Sequence, residues 1–104
     1  MPHKLQLPNF SVVVWVIKTQ QFETLRRELL AIAGHEPDES TEYQGMVDFH
    51  WGFESQTKAQ DLAKALQTIS QKPEIVVLRL SGLKDPAASI TLKDERNKAL
   101  MGDY

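Results

Sequence analysis

Apolar positions along the chain recur with two different periods. In FSVVVWVIK (10–18), Phe10, Val12, Val14 and Val16 alternate with Val13, Trp15 and Ile17. That is the twofold repeat of an extended strand. Both sides are apolar, so the segment is expected at the centre of a sheet with each face covered. MVDFHWGFES (46–55) also alternates, with Val47, Phe49, Trp51 and Phe53 set against Asp48 and His50. Such a strand has one dry and one wet side. EIVVLRLSG (74–82) reads as a third strand, with Val76, Leu78 and Leu80 on one side and Ile75, Val77 and Arg79 on the other. SITLK (89–93), after the turn-rich GLKDPAAS, reads as a fourth.

Two segments follow the helical period instead. Phe22, Leu25, Leu29 and Ile32 form one stripe, with Thr19 as a capping residue and Gly34 as a left-handed stop. Ala59, Leu62, Leu66 and Ile69 form the other, broadened by Ala63 and Ala65, with Ser55 as its cap and Pro73 helping to end it. The polar stretch 35–44, with Pro37 and Asp38, reads as a loop, with a very short strand around Thr41 to Tyr43 as the weaker alternative.

The expected fold is α+β, a two-layer sandwich in the order β-α-β-α-β-β. Its four-stranded mixed sheet carries both helices on one face. Short links around the second helix favour a right-handed crossover and a parallel pairing of the second and third strands. A ferredoxin-like arrangement is the alternative; it requires two strands between the helices, and 35–53 is tight for that. Residues 1–104 are expected to form one domain, with an N-terminal arm over 1–9 and a flexible tail over 94–104.

Composition narrows the function classes. The 104 residues contain no cysteine, which excludes a disulfide framework and thiolate metal sites and suits a reducing cytoplasm. The formal net charge is −2, with both signs interspersed and no basic stripe of the kind nucleic acid selects. No apolar run approaches the roughly 20 residues of a membrane helix. His3, His35 and His50 have no metal-ligand spacing, and there is no glycine-rich phosphate loop. No cofactor is expected.

The candidate chemistry lies on the wet side of the second strand. Asp48 and His50 share a face, and Trp15 and Arg79 are expected near them on neighbouring strands. A His oriented by a carboxylate is a general base; two polar residues solvating a sheet are the plainer explanation. Trp15, Asp48, His50 and Arg79 are therefore binding candidates, and no residue is assigned a catalytic role. The segment FHWGFESQTKAQDLAKAL (49–66) is similar to the strand-to-helix region of small dimeric α/β-barrel proteins, which include monooxygenase-like enzymes. It shares no specific motif with them and transfers no functional residue.

With helices on one face, the strand pattern leaves several large apolar residues on the other: Val13, Trp15 and Ile17 or the Phe10 set, with Ile75 and Val77. A patch of several hundred Å² is near the limit for a monomer. The expected function is accordingly a non-catalytic protein-interaction or regulatory module acting through a partly apolar sheet face. Its partner is another protein or a second copy in a homodimer. A dimeric cofactor-free enzyme or small-ligand binder on the same face is the alternative.

Overall fold

The computed structural model describes residues 8–101. Five strands form one antiparallel sheet: β1 (Phe10–Ile17), β2 (Glu39–Tyr43), β3 (Met46–Phe53), β4 (Ile75–Gly82) and β5 (Ile90–Asp94), in the order β2-β3-β1-β4-β5. Helix α1 (Phe22–Ala33) joins β1 to β2, α2 (Gln56–Leu66) joins β3 to β4, and α3 (Arg96–Met101) follows β5. β1 is central, as its two apolar faces require.

The sheet corrects the expected four mixed strands. β3 and β4 run in the same direction but are not neighbours, because β1 lies between them and pairs antiparallel with both. β1 to β4 with α1 and α2 thus make two interleaved βαβ units, the ferredoxin-like order with a fifth strand added beside β4. The two strands this order needs between the helices fit because β2 is short. Its turn is also tight, with Gln44 and Gly45 both at positive φ (51° and 79°). Positive φ at both central positions is the signature of the primed two-residue hairpin turn.

The principal core lies between the sheet and the two long helices. Val12, Val14, Val16, Phe49, Trp51 and Leu78 meet Leu25 and Leu29 of α1 and Ala59, Leu62 and Leu66 of α2 there. Ser55 caps α2 as expected, its Oγ accepting from the Lys58 N–H at 3.2 Å. Gly34 closes α1 at φ 84°, its N–H donating to the Leu30 carbonyl.

Two helix boundaries differ from expectation. Thr19 does not cap α1; its Oγ1 accepts from the Gln21 N–H at 3.1 Å, in the turn before the helix. α2 ends at Leu66, well before Pro73, and a run of turns leads to β4. The expected arm lies outside the described residues except for Pro8 and Asn9. The expected tail begins with the last residue of β5 and continues into α3. Among the described residues no helix is long and apolar enough to cross a membrane.

Candidate functional site

Strand register maps the face of the sheet turned away from α1 and α2. One row across it runs Thr41, Asp48, Trp15, Val77, Asp94, and the next runs Glu39, His50, Val13, Arg79, Thr91. All four candidates from the sequence therefore share this face in two adjacent rows. Asp48 stands beside Trp15, and His50 and Arg79 flank Val13. Phe49, on the opposite side of β3, is in the principal core, so the two faces of that strand are assigned as alternation predicts.

Ile75 departs from that expectation. A register shift between Trp15 and Val16 makes Val76 the extra residue of β4 and turns Ile75 into the principal core. Such a bulge reverses the side-chain alternation locally. Met46, Val76 and Val77 form a second small cluster, with Trp15 and Ile17 packed against it.

This face is less bare than the strand pattern implies. Val13, Met46 and Val77 are 2 %, 3 % and 0 % exposed, so the anticipated apolar patch is largely closed within one chain. The turn from β5 into α3, and Arg96 at the start of that helix, border this face. The Glu95 N–H donates to the Val76 carbonyl, and the guanidinium carbon of Arg96 lies 5.6 Å from the centre of the Trp15 ring. Asp94 holds that guanidinium in a two-pronged grip, Nε to Oδ1 at 3.1 Å and Nη2 to Oδ2 at 2.9 Å. The pairing keeps the Asp94 carboxyl below the usual carboxylate range. A cation over an indole contributes about 0.5–1 kcal/mol at an exposed site.

Beyond Arg96 opens a cleft of about 660 Å³ lined by Trp15, Tyr43 and residues 94–98. Tyr43, on edge strand β2, is 55 % exposed there. Asp94, Arg96 and Tyr43 are site residues that sequence reasoning missed. The only local signal is the Asp-x-Arg spacing; contact with Trp15 depends on where the chain places α3.

Asp48 and His50 form a close pair, with Nε2 and Oδ1 2.9 Å apart. Asp48 Oδ1 is out of contact with solvent and has no other polar partner among the described residues, so His50 is the group it faces. The Asp48 contact is the main cause that raises the His50 pKa above 6.5; partial burial opposes it, Glu39 adds to it and Arg79 subtracts.

A raised folded-state pKa fixes the direction of the pH effect. The stabilisation from the charged His50 is complete below the unfolded value of 6.5 and is lost as pH rises through the folded value. Urea titrations at a series of pH values from acid to mildly alkaline should show wild type losing its advantage over His50→Gln across that window. Parallel curves for the two proteins would mean the pair does not form in solution.

The arrangement can present an aromatic platform, a fixed guanidinium and a protonatable imidazole to a second molecule. Among the described residues no three metal-ligating side chains converge. Compared with protein-family models, curated proteins and solved structures, the chain matches none of them.

Proposed function

We propose that this protein is a small, non-catalytic interaction module that engages another protein with the open face of its sheet, centred on Trp15. The observation that carries this reading is the assembly of half-buried Trp15, clamped Arg96 and exposed Tyr43 around one open cleft. Tryptophan, tyrosine and arginine dominate the energetically important positions of protein interfaces. Asp48, His50 and Arg79 supply a polar rim of both signs, which favours register and specificity.

The partner in this reading is a different protein. Obligate homodimers bury large, strongly apolar surfaces, and here Val13, Met46 and Val77 of the face are already covered within a single chain, which leaves only Trp15 and Ile17 partly open. Light scattering behind a sizing column should return the monomer mass of 11.8 kDa throughout a dilution series. Twice that mass at every concentration would assign the face to self-association.

The second reading, a cofactor-free enzyme or small-ligand binder on the same face, draws on the Asp48–His50 pair. It calls for an enclosed pocket beside His50. The cleft that supports the leading reading is open and is lined by neither His50 nor Arg79.

A further inference from the structure

The two edges of the sheet are built differently. β2 exposes all five of its side chains, among them Glu39 and Glu42, and Glu42 pairs with Lys18 at 3.3 Å. A charged edge of this kind discourages further strand pairing. β5 has no such charge on its outer edge, and its one irregularity is a bulge at Leu92, which the register against β4 leaves unpaired. Ile90 and Leu92 are 43 % and 37 % exposed. Lys93 is turned back onto the chain after α2, its Nζ donating to the carbonyls of Ser70 at 2.7 Å and Lys72 at 3.2 Å. Asp94 is held by Arg96. Both charges of the strand are thus engaged within the chain, and among the described residues no strand pairs with its outer edge.

A groove of about 250 Å³ runs between this edge and α2, with Ala63, Leu80, Ile90 and Leu92 as its apolar lining. Its rim is Gln60, Lys64 and Gln67, so its only charge is positive.

We infer that the β5 edge is a second docking surface, which takes an extended segment of another protein as a sixth strand. That segment carries apolar side chains at alternate positions and a carboxylate facing Lys64. The unpaired edge calls for an extended backbone, the groove for apolar side chains at every second residue, and Lys64 for an acid. A second copy of this chain is the poorer occupant, because two-fold pairing presents the same groove to itself, with a lysine and no carboxylate in the lining.

Selection of short random peptides displayed on phage against the intact protein tests the inference. Enriched peptides should alternate apolar residues and include Asp or Glu. They should bind Leu92→Lys at least about tenfold more weakly, a difference of about 1.4 kcal/mol. Lys64→Glu, an exposed helix substitution that leaves the core untouched, should weaken the same peptides and favour basic ones. Tyr43→Ala, on the other edge, should bind them unchanged. Failure to enrich any peptide overturns the inference, as do peptides that ignore both Leu92→Lys and Lys64→Glu. A dimer that Leu92→Lys disperses also overturns it, since the occupant is then a second copy.

Discussion

Trp51→Ala is expected to cost about 3–5 kcal/mol, the range for removing a large aromatic from a packed core. Trp51 is fully buried in the middle of β3, tilted against Phe49 at 6.0 Å between ring centroids. Its Nε1–H donates to the His35 carbonyl at 3.1 Å, tying the loop after α1 to the sheet. The substitution opens a cavity between sheet and helices and releases that loop. Small domains have only about 5–15 kcal/mol in total, so a large share of the stability would go. At this chain length the melting temperature should fall by more than about 12 °C. Trp51→Phe shifts the balance between the two effects: it keeps most of the apolar area, with a smaller cavity, and loses the whole hydrogen bond, worth about 1 kcal/mol. Urea denaturation of both variants reads the difference. A loss below about 1 kcal/mol for Trp51→Ala would contradict the placement of Trp51 at the core centre.

Leu29→Ala should cost about 2–5 kcal/mol. α1 is attached to the sheet through two fully buried residues, Leu25 and Leu29, while Phe22, Leu30 and Ile32 are only partly covered. Loss of one anchor leaves a cavity that the helix is too constrained to fill, since Leu62 and Leu66 of α2 occupy the other side of the same core. Leu30→Ala, at a half-buried position, should cost clearly less. Equal losses for the two variants would mean that α1 packs in a different rotation about its axis.

Periodicity made the long elements legible because each has a buried side. β1, β3, β4, α1 and α2 each place apolar residues at the spacing of their own geometry, and the register of β1 brings Trp15, Asp48, His50 and Arg79 to one face. β2 was legible only as a weak alternative around Thr41 to Tyr43, for the same physical reason. As an edge strand with every side chain exposed, it carries no alternation, and it is held by main-chain pairing to β3. Its turn uses Gln44 where Asn or Asp would have signalled a primed hairpin. The mixed-sheet expectation failed with it, because only the β2–β3 hairpin brings β3 back beside β1. Ile75 was misassigned because a one-residue bulge is invisible to a twofold pattern. On the candidate face, Arg96 and Asp94 lay beyond reach, since their partner Trp15 is near the other end of the chain.

The open sheet face around Trp15 is expected to meet another protein. Site-specific photocrosslinking tests it most directly, with benzoylphenylalanine in place of Tyr43 at the rim of the cleft and, as a control, in place of exposed Glu23 on the outer side of α1. One discrete adduct with a different protein is expected from position 43, none from position 23, and loss of that adduct when Trp15→Ala is added to the chain. The same adducts from both positions, or none from position 43 in the cells that make the protein, would contradict it.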